Sequence, residues 1–140
     1  MEPEKLARLV AVAHAHAAAE GAGDLATTLA TLEDDPYYEL QPMRRVLRGK
    51  DTARRIYEHF FANYLPLGDG YELKGEWVTD EGVGQEYALR LRFPDGTTQE
   101  HNVVGILLFG EDRLRGERVY ASDELLRLMY GPVVDDAVPL

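Results

Sequence analysis

Between Tyr71 and Ala121 the chain runs with a period of two, and this limits what it can fold into more than any other feature. In YELKGEWV, Tyr71, Leu73 and Trp77 alternate with Glu72, Lys74 and Glu76. In VGQEYALRLRF, Val83, Tyr87, Leu89, Leu91 and Phe93 alternate with Glu86, Arg90 and Arg92. One apolar and one charged face per segment is the mark of half-buried strands. PDGT (94–97) puts Asp-Gly at a hairpin tip, and GEDR (110–113) makes a second turn. TQEHNVVGILLF is apolar on both faces, so a second surface, such as a two-fold copy of the chain, is expected to cover its outer side. LRGERVYA is the last predicted strand and ASDELLRLMYG a closing helix.

Upstream the period is helical. Leu6, Leu9, Val10, Ala13 and Ala17 predict a helix over 4–20, ended by GAG at 21–23. Asp24 suits the N-cap of a short helix, LATTLATL. DDPYYELQP (34–42) is interrupted by Pro36 and Pro42 around a short extended piece, and MRRVLRGK fits neither period. In 50–65, Ala53, Ile56, Tyr57, Phe60, Phe61 and Tyr64 form a broad helical stripe that must lie on something. Helices, then strands, then a helix predict an α+β domain over 1–131, its helices packed on one face of a curved antiparallel sheet. Helices across the mouth of such a sheet enclose a cavity. GPVVDDAVPL reads as a frayed or draped tail, making 132–140 a C-terminal appendage.

Composition narrows the function classes. The net charge of −10, from 15 Lys and Arg against 25 Asp and Glu, argues against nucleic acid or an anionic membrane as partner. With no cysteine, disulfides, zinc-thiolate sites and a thiol nucleophile are excluded. MEPEKLARLV lacks the pattern of a signal peptide, and no apolar run reaches the length of a membrane span, so a cytoplasmic protein is expected. No zincin motif, phosphate-binding glycine loop or catalytic triad is visible. His14 and His16, two apart on a helix, point to different sides and do not form a metal pair. Both are expected to be exposed or at the helix rim. No metal and no cofactor is expected.

Three stretches carry a likeness to a known family: DLATTLATLEDDPYYELQP with the helices before it, RGKDTARRIYEHFFANY, and GILLFGEDRLRGERVYASDELLRLMYG. Together they resemble the NTF2-like superfamily, nearest its SnoaL-like branch of polyketide cyclases, with ketosteroid isomerases as relatives. The resemblance implies a cone-shaped α+β barrel with an internal pocket and a homodimer formed through the sheet. It also implies a catalytic aspartate just after the last strand, where this chain has Ser122 with Asp123 next to it. The histidine of the preceding strand corresponds to Gly105, and His101 lies four residues earlier.

The candidate residues each have two readings. Arg118 and Tyr120 share a strand face with Leu114, which is expected to point inward. They would meet a ligand oxygen, or Arg118 would pair with a carboxylate at the cone's rim. His101 shares a face with Val103, Gly105 and Leu107, and would serve as acid or base, or as a hydrogen-bonded, half-buried histidine. Asp123 would be a general acid or base, or belong with Ser122 to a helix cap. Tyr38, Tyr57, Trp77, Tyr87 and Tyr120 would wall a pocket for an apolar oxygenated molecule, or be core. Glu86 and Glu117 are expected on outer faces, in cross-strand pairs. Three functions follow: a small-molecule-binding protein, a metal-free isomerase, cyclase or lyase acting on a carbonyl compound, or a non-catalytic interaction module.

Overall fold

The computed structural model describes residues 1–140. Helix α1 (Pro3–Ala22) is ended by Gly23 in the left-handed conformation, and α2 (Leu25–Ala30) is capped by the Asp24 carboxylate, which accepts from the Thr27 N–H at 3.1 Å. Strand β1 (Leu32–Gln41) runs through the region expected to be broken. Pro36 is tolerated because the pairing slips between Leu32 and Tyr37, so its missing N–H falls where the ladder is interrupted. Strand β2 (Arg45–Arg48) occupies the stretch that fitted neither period.

Helix α3 (Lys50–His59) carries the broad stripe, but the stripe continues into a π-helical turn (Phe60–Tyr64) and a 3-10 turn (Leu65–Leu67) rather than one helix. Strands β3 (Gly68–Val78), β4 (Gly82–Arg92), β5 (Thr98–Phe109) and β6 (Leu114–Tyr120) form the expected antiparallel meander. Helix α4 (Asp123–Tyr130) follows, with the Ser122 hydroxyl accepting from the Leu125 N–H at 3.1 Å. The tail is not frayed. It forms a 3-10 turn (Gly131–Asp136) and strand β7 (Val138–Pro139), and buries Val133, Val134 and Ala137 in the core.

The strand order is β3-β4-β5-β6-β1-β2-β7. β1 lies parallel to β6, so the seven-stranded sheet is mixed rather than wholly antiparallel, and β3 and β7 leave it open rather than closed into a barrel. The helices cover one face, where Leu9, Ala13, Ile56, Leu91, Val119 and Leu125 join the core. On the outer face of β5, Val104 and Ile106 are half-buried. The edge strand β3 departs from the expected pattern. Tyr71, Leu73 and Trp77 are all exposed, because the pairing with β4 slips twice and no helix covers this edge. No helix is long and apolar enough to cross a membrane.

The consequential irregularity lies in β6. Leu108 pairs with Gly116 but Phe109 pairs with Leu114, leaving Arg115 as an extra residue, a β-bulge. Gly116 has φ +145°, and a Cβ there would run into the backbone carbonyl of Tyr37 on β1. One extra residue reverses which side chains face inward. Leu114 points into the core, but beyond the bulge Glu117 and Val119 do so, while Arg118 and Tyr120 turn outward. Gly116→Ala is expected to cost about 3 kcal/mol or more. Urea denaturation checks this, and a loss below about 1 kcal/mol would contradict the bulge geometry.

Candidate functional site

Between the helices and the sheet lies a cavity of about 390 Å³. Most of its wall is apolar or aromatic. Phe60, Tyr64 and Leu65 come from the turns after α3, Tyr87 from β4, and Leu107 from β5. The π-helical turn packs Phe60 against Tyr64, with ring centroids 4.8 Å apart, and so gives the wall two adjoining rings.

One region of the wall is polar. Glu20 projects from α1 and Glu117 from β6, and His16 stands one helical turn before Glu20. Ligand-capable atoms of all three lie within 4.8 Å of one another. His16 is 1% exposed, not at the helix rim as expected, and its ring is held on both sides. Nδ1 lies 2.7 Å from Thr31 Oγ1, and Nε2 lies 3.1 Å from both Tyr57 Oη and Glu20 Oε2. Tyr57 Oη is in turn 2.8 Å from Tyr38 Oη. Polar groups buried this deeply need such partners.

Glu117 is half-buried and opens onto the cavity, and no hydrogen bond contributes to holding its carboxyl. Burial, and secondarily the nearby Glu20, push that carboxyl well above the ordinary carboxylate range. Gly105 on β5 makes room for it, since a Cβ at 105 would sit 3.0 Å from Glu117 Oε1. The glycine that stands where the resemblance implies a histidine thus leaves space for a carboxyl from the next strand.

No protein-family model and no curated protein matches the chain. Solved structures do match. A protein assigned as a SnoaL-like polyketide cyclase from Jannaschia sp. CCS1 superposes with a TM-score of 0.70 at 14% identity, over 94% of this chain and 97% of that one. The chain has the NTF2-like fold. A protein assigned as a polyketide cyclase from Xanthomonas campestris pv. campestris gives a TM-score of 0.66 at 16% identity, over 90% and 98% of the two chains. An NTF2-like protein of unknown function from Cytophaga hutchinsonii gives 0.65 at 13% identity, over 80% and 97%. At these identities the likeness is one of fold.

Within this NTF2-like fold only one of the residues expected from the sequence to form the site, Tyr87, lines the cavity. Arg118 lies on the outer face, its Nε 2.7 Å from Glu39 Oε2 on β1, and Tyr120 beside it is 43% exposed. Both were expected inside, and the bulge at Arg115 and Gly116 is the cause. Tyr38 and Tyr57 are fully buried core residues that reach the polar cluster through their hydroxyls rather than walling the cavity. Trp77 is exposed, its indole lying over Gly84 where any Cβ would collide with it. His101 is half-buried and hydrogen-bonded to Gln99 at 2.9 Å, and it does not line the cavity. Asp123 is exposed in the first turn of α4. Glu86 is exposed as expected, whereas Glu117 is inside. His16 and Glu20 were missed, although their i, i+4 spacing on one helix puts them on one face.

Glu117 gives the fold a signed dependence on pH. A carboxyl that holds its proton more tightly folded than unfolded contributes fully below the ordinary carboxylate pKa, and that contribution is lost as pH rises through its raised folded value. The nearby Glu20 adds to that preference for the neutral form, and a charged Glu117 would in turn push up the hydroxyls of Tyr38, Tyr87 and Tyr130; the basic groups facing the cluster and the cavity are His16 and Arg90. Glu117→Gln, neutral throughout, is expected to remove part of the stability loss between about pH 5 and about pH 8.5. Urea melts at both pH values check this, and parallel losses in the two proteins would contradict it.

Proposed function

We propose that the cavity binds a small, mostly apolar molecule carrying an oxygen, with that oxygen set where Glu20 and Glu117 line the wall and the buried His16 stands behind them. The observation that carries this is the placement of Glu20 and Glu117 together in a wall built mostly from Phe60, Tyr64, Tyr87, Leu107 and similar side chains, with Gln85 and Arg90 its other polar members. Apolar walls supply affinity, and a few convergent polar groups fix orientation. The volume of about 390 Å³ suits a ligand of one to three rings. The names carried by two of the structural neighbours agree with a carbonyl-bearing ligand.

Isomerisation or cyclisation of a carbonyl compound is the reaction this arrangement favours. Charge developing on the ligand's oxygen would be stabilised by a hydrogen bond from the Glu117 carboxyl, which burial keeps in its protonated form. Asp123 and His101 stand outside that wall, so the chemistry is assigned to the Glu20, Glu117 and His16 cluster instead.

2-Naphthol, flat and carrying one oxygen, is a suitable probe. Its fluorescence is expected to report saturable 1:1 binding to the wild type. Leu107→Trp, which fills the cavity from the sheet side, is expected to weaken binding about tenfold or more. Arg118→Ala and Tyr120→Phe, on the outer face, are expected to bind as the wild type does. Loss of binding in Arg118→Ala with full binding in Leu107→Trp would place the ligand elsewhere and end this reading.

A further inference from the structure

The geometry points to a divalent transition-metal site in the cavity wall, formed by His16 Nε2 and the carboxylates of Glu20 and Glu117, and suited to Zn2+ or Mn2+. This deepens the ligand-binding reading, because a metal there would present an open position to the ligand's oxygen, yet metal uptake can be measured without any ligand.

Three independent features converge. The first is spacing. His16 and Glu20 are neighbours on one face of α1, their Nε2 and Oε2 atoms 3.1 Å apart, and Glu117 reaches the same point from β6. Metal bonds of about 2.1 Å in tetrahedral arrangement separate ligand atoms by roughly 3.4 Å. Two of the three atoms already meet that spacing, and the third needs an adjustment of up to about 1.4 Å, within reach of a glutamate rotamer.

The second is the unpartnered carboxyl. Glu117 is half-buried, opening only onto the cavity, with no hydrogen bond to its oxygens. Two carboxylates in such a place repel each other, and one proton neutralises only one of them. A divalent cation neutralises both. Arg90, which also borders the cavity, is engaged with Glu100 at 2.8 Å and leaves the carboxyls unpaired.

The third is the orientation of the imidazole. The Thr31 hydroxyl donates its one hydrogen to the Thr28 carbonyl at 2.7 Å, so towards His16 it can only accept. Nδ1 therefore carries a hydrogen, and in the neutral ring the Nε2 lone pair faces Glu20, 3.1 Å away. Metal-ligating histidines are held in this way, the far nitrogen donating to a fixed acceptor. Tyr57, now beside Nε2, has Tyr38 Oη at 2.8 Å as an alternative partner for its hydrogen. One imidazole with two carboxylates and no thiolate suits zinc, manganese or ferrous iron rather than copper(I), and the nitrogen ligand disfavours magnesium and calcium.

The full chain, stripped with a chelator, is titrated calorimetrically with ZnCl2 and with MnCl2 alone. One ion per chain is expected. Glu117→Gln, nearly isosteric, is expected to weaken binding about 100-fold or more, and Thr31→Val, which removes the acceptor for Nδ1–H, about 10- to 100-fold. Circular dichroism confirms that both variants are folded. Co2+ in place of zinc gives a second readout, visible absorption bands that change in Thr31→Val. His14, exposed and 3.0 Å from Glu76, is the control for adventitious surface binding, and His14→Ala is expected to change nothing. No stoichiometric uptake, uptake undiminished in Glu117→Gln, or uptake lost in His14→Ala would each overturn the site. 2-Naphthol binding to the chelated protein is read separately, so naphthol binding without metal uptake removes the metal site alone.

Discussion

The glycine at 116 fixes the chemistry of the interior. Its φ of +145° and its closeness to the Tyr37 carbonyl allow β6 to carry one extra residue while keeping parallel contact with β1 and antiparallel contact with β5. Beyond the bulge the parity of the strand is reversed. Were β6 regular, an arginine and a tyrosine would face the cavity and an anion would be the natural guest. With the bulge, a glutamate faces it and the arginine pairs with Glu39 on the outer surface. The same backbone thus holds either an electropositive or an electronegative cavity, and one residue of register decides which.

The electronegative version creates an unresolved charge. Glu20 and Glu117 approach each other inside the protein, with the His16 ring beside them. Burying an unpaired carboxylate is expensive, so the pair retains a proton, finds a cation or meets a polar atom of a ligand. Around them the fold supplies order rather than charge. Thr31 orients His16, Tyr57 and Tyr38 close the chain of hydroxyls, and Gly105 leaves the space that Glu117 occupies. Such support is what a binding or catalytic group needs if it is to act from a fixed position.

Much of the fold was legible where one physical signal dominated. The alternation of Val83, Leu89 and Leu91 gave β4 correctly, because that strand is paired on both sides and covered on one face. The stripe from Ala53 to Tyr64 gave a helical element on the core, although crowding by Phe60, Phe61 and Tyr64 accompanies a π-turn that periodicity does not register. β1 was obscured by Pro36, which a strand accepts only where its pairing slips. The site was far less legible. Alternation counted through LRGERVY assumed a regular strand, although a glycine inside a strand is itself a signal of a bulge. His16 has its partner not in His14, two residues away, but in Glu20, four residues away on the same helix face.

Because the chain has no cysteine, the inward and outward faces of β6 can be read directly with single cysteines. Glu117→Cys and Arg118→Cys are compared for their rates of reaction with a bulky thiol reagent, with and without a saturating small aromatic ligand. Labelling at 118 is expected to be fast and ligand-independent, and labelling at 117 slow and slowed further by the ligand. Fast labelling at 117 with protection at 118 would mean that β6 carries no parity reversal, and the electronegative cavity would not exist.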